Sequence, residues 1–312
     1  MIKIFHKTKK DFVLNEIEEL KPHSWLFVEN PTDSEIQTLI EKYRLDEGLL
    51  RDSLDPFEVP RIELDEEENI TYVFTRVPHK VEQEKRIYTF PLMIAIAKDF
   101  LVTVSSGHGT HVLNKFIDEK NKTKTTDTEK LFLQIFFEIN RSYNSFLNSI
   151  SRQVRGNEIK LEEIENRDVI RFFIYENTIS DFLTALVPTN TLLKSISLSK
   201  RLVNMDEEEE ELFEDLFLGN GQLIELCRSN LKYIVSLREA HSTILTNNLN
   251  RVIKLLTILT IVLTVPTIVS SFFGMNVPVP LANNPGGFWL ISSFTIALIF
   301  ILGIIFVKNK WL

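Results

Sequence analysis

The chain has 312 residues, with 35 Lys and Arg against 43 Asp and Glu, and a formal net charge of −8 at pH 7. After position 250 the charged residues are Arg251, Lys254, Lys308 and Lys310, so these four bases leave a net charge of −12 for the first 250 residues. An acidic surface argues against a nucleic-acid partner, because phosphate groups require a basic surface. Cys227 is the single cysteine, which excludes an intramolecular disulfide and is typical of a reducing compartment.

The first 125 residues predict a mixed α/β domain. Runs rich in β-branched and aromatic residues predict four strands, at 24–28, 70–77, 87–96 and 100–105. Lys98 and Asp99 separate the last two runs like a hairpin turn. Residues 31–45 predict a helix, because a proline begins the segment and apolar residues follow at helical spacing.

Residues 126–212 predict a cytoplasmic region of long helices. The segment 131–154 is amphipathic, and 164–203 has a second helical pattern that we expect to be interrupted at Pro188. An acidic run follows at 206–211, and it predicts a solvated helix face or a turn.

The next part of the chain predicts one long helix. There is no proline from Phe213 until Pro266, and apolar residues recur in helical steps, at Leu216, Leu223, Cys227, Leu231, Ile234, Leu237 and Ile244. This seam predicts a stalk over 213–254 that packs against copies of itself. Continued to Phe273, the helix would be ~90 Å long at 1.5 Å per residue. Gly219, Asn220 and Gly221 resemble a turn, at which the stalk could break.

Two uncharged apolar stretches, 255–273 and 288–307, are each close to the ~20 residues needed to cross a bilayer. A buried soluble helix would explain one such stretch, but two neighbouring stretches flanked by bases favour transmembrane helices. The flanking bases, including those of the tail 308–312, predict a multi-pass protein of the cytoplasmic (inner or plasma) membrane. Both termini are expected in the cytoplasm and the loop 274–287 outside.

Hydroxyl side chains line one face of the first stretch. They occur in steps of three and four, at Thr257, Thr260, Thr264, Thr267 and Ser271, and Asn250 extends the same face. In one interpretation, these small residues let helices pack closely and bond to their own backbone carbonyls. In the other, copies of the helix surround an aqueous pore with this face inward. Five regularly spaced hydroxyls favour the pore, which requires a symmetric ring of subunits with the second helix facing lipid.

The tripeptide Gly274-Met275-Asn276 directly follows the first stretch. In that position, between two C-terminal apolar helices and after a large soluble part, it resembles the signature of the CorA family of magnesium and other divalent cation transporters. The segment before it is also similar to the family pattern, at Asn250, 254–257, Pro266 and Thr267. The resemblance is sharpest over 213–312.

The resemblance implies an α+β membrane protein with an N-terminal cytoplasmic α/β domain, a long helical stalk and two C-terminal transmembrane helices. It further implies a funnel-shaped homopentamer. Gly274, Met275 and Asn276 would form its ion-binding mouth, where amide and carbonyl oxygens hydrogen-bond a hydrated Mg²⁺. The family's pore positions correspond here to Asn250, Leu256, Thr264, Thr267 and Ser271, with Leu256 as a hydrophobic constriction.

Regulation by cytoplasmic Mg²⁺ is also implied by the resemblance. The family closes when Mg²⁺ fills acidic sites between neighbouring subunits, and Asp215 lies where the family has one such carboxylate. The alternative is that Asp215 is an ordinary surface acid. Glu82 and Glu84 are candidate partners from the α/β domain of a neighbour. A bridging divalent ion would remove the repulsion between facing carboxylates and hold the ring closed.

Other classes of function explain less of the sequence. An ATP-driven pump lacks support because there is no Gly-Lys-Ser/Thr phosphate-binding loop, and His108 and His111 have no third metal ligand nearby, which argues against an enzyme. A non-transporting scaffold or sensor would explain the acidic part and the two spans but not the hydroxyl face. Co²⁺, Ni²⁺ and Zn²⁺ are alternatives to Mg²⁺, although the softer metals favour His or Cys ligands, which both apolar stretches lack.

Overall fold

The computed structural model of the chain describes residues 1–8, 14–81, 86–107, 109–118, 124–155, 164–198, 203, 205–281 and 284–309. The chain divides into two compact units, Met1–Leu237 and Arg238–Leu312.

The described strands of the first unit form one seven-stranded sheet. They are β1 (Ile2–His6), β2 (Asn15–Ile17), β3 (Ser24–Glu29), β4 (Arg61–Asp65), β5 (Ile70–Val81), β6 (Arg86–Ile96) and β7 (Phe100–Ser105). Their order is β2-β1-β3-β7-β6-β5-β4, with β3 and β7 parallel and the other neighbours antiparallel. The four predicted strands and the hairpin at Lys98 and Asp99 are confirmed. The sequence did not predict β1, β2 and β4, because they are short or polar and depend on pairing with longer neighbours.

The described helices are α1 (Asp33–Tyr43), α2 (Glu47–Asp52), α3 (His111–Asp118), α4 (Thr128–Arg155), α5 (Asn166–Leu198), α6 (Glu207–Phe273) and α7 (Gly287–Lys308). The helix predicted at 31–45 is confirmed as α1. Its first turn is a capping box, in which Thr32 Oγ1 accepts from the Glu35 N–H at 3.3 Å and Glu35 Oε2 accepts from the Thr32 N–H at 2.8 Å. Arg44, with a φ of 55°, ends the helix in the left-handed region.

Helices cover both faces of the sheet. Along β3, Trp25 and Phe27 belong to the core shared with α4, α5 and α6, whereas Leu26 and Val28 belong to the core beneath α1 and α2. Successive side chains of a strand point to opposite faces, so a strand buried on both faces is apolar along its whole length. The continuous apolar run of β3 is the pattern from which the sequence predicted this strand.

The helix α5 continues through Pro188, so the predicted interruption there is wrong. A proline inside a helix costs roughly 3 kcal/mol, because it removes a backbone hydrogen bond and crowds the preceding turn. Buried contacts on both sides offset that cost. Leu186 and Leu192 are buried, and Thr189 donates its hydroxyl hydrogen to the Ala185 carbonyl at 2.8 Å.

The helix α6 runs without a break across Gly219, Asn220 and Gly221, so the stalk predicted over 213–254 is one continuous helix and the turn that these residues resemble does not form. The Asn220 side chain is fully buried, and its Nδ2 donates to the Leu186 carbonyl at 3.1 Å and to Asn190 Oδ1 at 3.2 Å. The amide that favours a turn in isolation thus joins α6 to α5 in the folded chain.

The apolar seam of α6 packs mainly within its own subunit in the first unit. Its buried members belong to the core beneath the sheet, at Leu216, Leu223, Cys227, Ile234 and Leu237. The prediction that this part of the seam packs against copies of the helix is therefore wrong, because α4 and α5 of the same chain occupy that side.

The second unit contains the remainder of α6 and all of α7. Within the described residues, these two helices are long and apolar enough to cross a membrane, which agrees with the two predicted spans. Residues 274–286 connect them, and Leu281 adopts a φ of 67° within this loop.

Candidate ion pathway

The hydroxyl stripe of α6 comprises Thr257, Thr260, Thr264, Thr267 and Ser271, all of which are exposed. Its threonines donate their hydroxyl hydrogens to the carbonyls four residues earlier, at distances of 2.9, 2.8, 2.7 and 2.8 Å in chain order. Such bonds let a hydroxyl group lie on an apolar helix without an unpaired donor. The packing interpretation requires such bonds from each hydroxyl group to its own helix backbone, and the pore interpretation is equally compatible with them.

These bonds determine whether the threonine hydroxyl groups act as donors or acceptors toward a solute. Because each threonine hydrogen points to the helix backbone, its oxygen can only accept hydrogen bonds from a solute on the exposed side. The water molecules around a hydrated cation direct their hydrogens outward and can donate to such oxygens. The four threonines are therefore matched to hydrated cations, because their hydroxyl hydrogens are already bonded to the backbone.

The hydroxyl stripe lies opposite the side of α6 that is covered within the second unit. The partly covered residues recur at helical spacing, at Ile258, Ile261, Val262, Val265, Pro266 and Val269. The mean directions of the two sets differ by roughly 150° around the helix, at 100° per residue.

Covered residues also form a single face of α7, at Ile291, Ser292, Thr295, Leu298, Ile299, Leu302, Gly303 and Phe306. We infer that the covered faces of α6 and α7 pack against each other, which leaves the hydroxyl stripe free. From Phe294 to Val307 the exposed residues of α7 are all apolar, as expected of a helix that faces lipid.

Two further predicted pore residues flank the hydroxyl stripe. Leu256 is 54% exposed and lies at one edge of the stripe, next to Thr260, whose hydroxyl bonds to the Leu256 carbonyl. Asn250 is exposed and lies at the opposite edge. An exposed leucine beside a polar stripe is what a hydrophobic constriction in a pore would require.

The predicted mouth begins where α6 ends at Phe273. The Gly274 N–H donates to the Ser270 carbonyl at 2.9 Å, and a Cβ on Gly274 would lie 3.1 Å from that same oxygen. Glycine allows this close approach without a shift of the helix end. Met275 and Asn276 follow with exposed side chains, so the Asn276 amide is available to a solute or to another subunit.

Asp215, the predicted regulatory carboxylate, is exposed on α6 and lines an open groove of about 480 Å³ beside α4. Asn140 and Asn144 supply amide oxygens there, which hard cations accept as ligands, whereas the Arg141 guanidinium opposes a cation. In the described part of the chain, no group of three or more His, Cys, Asp or Glu side chains is arranged to hold a metal ion.

The other proposed members of metal sites lie outside the described residues. Glu82 and Glu84, the candidate partners of Asp215, belong to the segment 82–85, and His108 is likewise outside the description. A regulatory site that combines Asp215 with Glu82 or Glu84 stays a prediction.

Sequence reasoning missed a buried carboxyl group in the acidic run. Glu209 is only 7% exposed, so the solvated face predicted for 206–211 is wrong at this position. Glu209 Oε2 accepts from the Asp206 N–H at 2.9 Å, and Asp206 Oδ1 accepts from the Glu209 N–H at 2.9 Å. These reciprocal bonds form a capping box at the start of α6, and the Asp-x-x-Glu spacing was the signal that could have revealed it.

The Glu209 carboxyl group also contacts the N-terminal end of α4. It hydrogen-bonds the side chain of Asp127, whose Oδ1 accepts from the Lys130 N–H at 3.0 Å at the beginning of α4. Burial, together with the nearby Asp127 and Asp206 carboxylates, raises the pKa of Glu209 to about 7. Near neutral pH the Glu209 carboxyl group can therefore hold the proton of its hydrogen bond to Asp127.

Comparison with known proteins identifies the group to which these features belong. A family model described as CorA-like Mg²⁺ transporter protein matches residues 21–308, which is most of the chain. The chain belongs to the CorA family. The CorA family consists of transporters, so membership places the chain among transport proteins rather than enzymes.

A curated CorA relative resembles this chain over nearly its full length. The cobalt/magnesium transport protein CorA of Methanocaldococcus jannaschii is 29% identical over 294 residues, which cover 92% of this chain and 91% of the relative.

Two solved structures share the fold. The complete CorA magnesium transporter from Methanocaldococcus jannaschii matches with a TM-score of 0.85 at 24% identity, over 100% of this chain and 99% of that one. The full-length CmaX protein matches with a TM-score of 0.72 at 16% identity, over 96% of each chain. The predicted soluble α/β domain, long helix and two apolar C-terminal helices are thus confirmed for the single chain.

Proposed function

We propose that this CorA-family chain forms a channel that carries Mg²⁺ across the cytoplasmic membrane. The hydroxyl stripe of α6 supports the proposal most directly, because its oxygens are exposed and regularly spaced, and those of its four threonines have their hydrogens bonded to the backbone and are left as acceptors. Polar groups at membrane depth are costly against lipid and normally face protein or water. A water-filled path along Thr257, Thr264 and Ser271 provides that environment.

The pathway requires several copies of the chain. Two helices from one subunit cannot enclose a pore, so the hydroxyl stripes of symmetry-related copies would surround it, and we propose five copies, as the family resemblance implies. The apolar exposed face of α7 would then lie against lipid. Both termini would be cytoplasmic and the loop outside, because the bases Arg251, Lys254 and Lys308 flank the cytoplasmic ends of the spans.

Neutral oxygens are suited to passing Mg²⁺ without holding it. Mg²⁺ gives up its water ligands reluctantly, so a ring of Asn276 amide oxygens would hydrogen-bond the hydrated ion rather than strip it. Ligands without a full charge also avoid binding a divalent ion too tightly for release. Leu256 would narrow the path near the cytoplasmic side.

Co²⁺ is the second candidate ion. The archaeal relative is named a cobalt/magnesium transport protein, and the same neutral oxygens could pass hydrated Co²⁺. Ni²⁺ and Zn²⁺ are less well matched, since the two spans contain no His or Cys to coordinate them.

Replacement of the mouth asparagine tests the pathway. In proteoliposomes of the purified protein with an internal Mg²⁺ dye, an inward gradient should drive uptake through the wild type. Asn276→Ala should reduce uptake by at least about tenfold, because loss of a ring of amide oxygens removes the groups that orient the hydrated ion. Repeating the assay with Co²⁺ measures the second candidate directly.

Asn284→Ala is the matched control, since Asn284 lies in the same loop and accepts a hydrogen bond from the Gly286 N–H through its side chain. This control should keep most of the uptake, and both proteins should assemble equally. Normal Mg²⁺ uptake by Asn276→Ala would contradict the assigned mouth.

We further propose that Asp215 takes part in closure by cytoplasmic Mg²⁺. Its exposure on α6 beside amide oxygens of α4 supports this role. Asp215→Lys should weaken inhibition of uptake by Mg²⁺ placed on the cytoplasmic side, because a positive charge repels the bridging ion. Glu211→Lys, an exposed change of the same sign on the same helix, should leave inhibition intact. Equal inhibition of the wild type and Asp215→Lys would mean that Asp215 is a surface acid without this role.

A further inference from the structure

The second unit carries positive charges that it does not neutralise. Arg251 and Lys254 on α6 and Lys308 on α7 are exposed, and none of them has an ion pair within the part of the chain that the structure describes. The acid nearest to Arg251 along α6 is Glu239, about 18 Å away at 1.5 Å per residue. That distance exceeds the screening length of ~8 Å at physiological ionic strength, so Glu239 compensates little of this charge.

Two of these bases lie away from the hydroxyl stripe. Arg251 and Lys254 precede Ile258 at helical spacing, which places them toward the partly covered side of α6, about 140° and 80° around the helix from Thr264. Bases on the stripe would repel a divalent cation in the pathway. Away from the hydroxyl stripe, Arg251 and Lys254 can instead reach the headgroup layer around the two helices.

All three bases reach the same membrane surface. The helix α7 has 22 residues from the loop to Lys308, and Arg251 stands 22 residues before the end of α6 at Phe273. At 1.5 Å per residue both distances are about 33 Å, close to the ~30 Å thickness of the hydrocarbon core.

We propose that Arg251, Lys254 and Lys308 form a basic belt that binds the headgroups of anionic phospholipids. A guanidinium group holds phosphate oxygens through paired hydrogen bonds, and an ammonium group attracts them as a point charge. The apolar stems of these side chains can lie along the helices while the charges reach the headgroup layer. An anionic leaflet supplies the negative charge that these three bases lack in their neighbourhood.

Lipid retention by the full chain tests the basic belt without any need for transport. The protein is placed in nanodiscs of phosphatidylcholine with a minor fraction of phosphatidylglycerol, and retained lipids are counted by native mass spectrometry. The wild type should enrich phosphatidylglycerol over its bulk fraction. Arg251→Gln combined with Lys254→Gln should lower that enrichment by roughly tenfold, since each base near an anionic surface strengthens binding severalfold.

A matched control removes the same charge elsewhere on α6. Arg228→Gln combined with Lys232→Gln changes two exposed bases of the first unit and should leave the enrichment unchanged. Raising the salt concentration should weaken enrichment by the wild type, and this measurement needs no variant.

Three results would overturn the proposal. The wild type could retain both lipids in their bulk ratio, or the Arg251 and Lys254 double variant could keep the full enrichment. Displacement of the lipid by soluble inorganic phosphate would assign these bases to a free anion instead of a membrane surface.

Discussion

Neighbouring glutamates at the start of α6 differ in burial and in hydrogen bonding, although they are chemically identical. Glu209 is one of five consecutive glutamates, yet it alone among them is buried and shares hydrogen bonds with Asp206 and Asp127. The acidic run is evident in the sequence, but the burial of Glu209 alone is not. That burial depends on how α4 and α6 pack against each other.

The raised pKa of Glu209 predicts a pH-dependent stability. Its pKa is about 7 in the folded chain against a usual 4.5, so the folded state binds more protons between these values. The free energy of unfolding should therefore fall by up to about 3 kcal/mol as the pH rises through this window, and level off above it. Hydrogen exchange of the first turns of α4 and α6 in the full chain, at pH 5 to 8, measures the change.

Glu209→Gln separates the charge from the hydrogen bonds. A glutamine keeps an acceptor for the Asp206 N–H and can donate to Asp127, so exchange in this variant should lose most of its pH dependence. Glu211→Gln, at an exposed position of the same turn, should behave like the wild type. An unchanged pH dependence in Glu209→Gln would assign the effect to another group.

At the scale of elements, periodicity was the reliable guide and local breakers were not. The helical seam and hydroxyl spacing predicted α6, and a continuous run of apolar residues predicted β3. We expected an interruption at Pro188 and left a break open at 219–221, because the local preference of both segments is for turns. Burial around Leu186 and Asn220 outweighs that preference, and no local pattern in the sequence shows it.

The contact between α5 and α6 should be sensitive to the Asn220 amide. Asn220→Ala removes the buried amide that donates to the Leu186 carbonyl and to Asn190 Oδ1, which should cost about 1–3 kcal/mol. The apparent melting temperature of the full chain should then fall by several degrees. Asn247→Ala, at an exposed position of α6, should leave it within a degree or so, whereas equal melting temperatures for Asn220→Ala and the wild type would contradict the role of this amide.

At the scale of the whole molecule, the proposed pathway and its proposed regulation differ in how far the sequence alone could suggest them. The hydroxyl stripe and the Gly274-Met275-Asn276 tripeptide are continuous in the chain, so spacing and position were enough to propose them as a pathway. A site shared between subunits brings together residues that are distant in sequence, and periodicity gives no information about which residues meet. For this reason the partner of Asp215 could only be suggested by resemblance.

Chemical access to the hydroxyl stripe tests the central claim most directly. The native Cys227 is buried and its pKa is raised to about 12 by burial, so it should stay unreactive toward a membrane-impermeant thiol reagent. In reconstituted protein, we expect the reagent to modify Thr264→Cys and to block its Mg²⁺ uptake. Val265→Cys, on the covered side of the same turn, should be neither modified nor blocked. Modification of Val265→Cys with Thr264→Cys protected would contradict a water-filled path along the hydroxyl stripe.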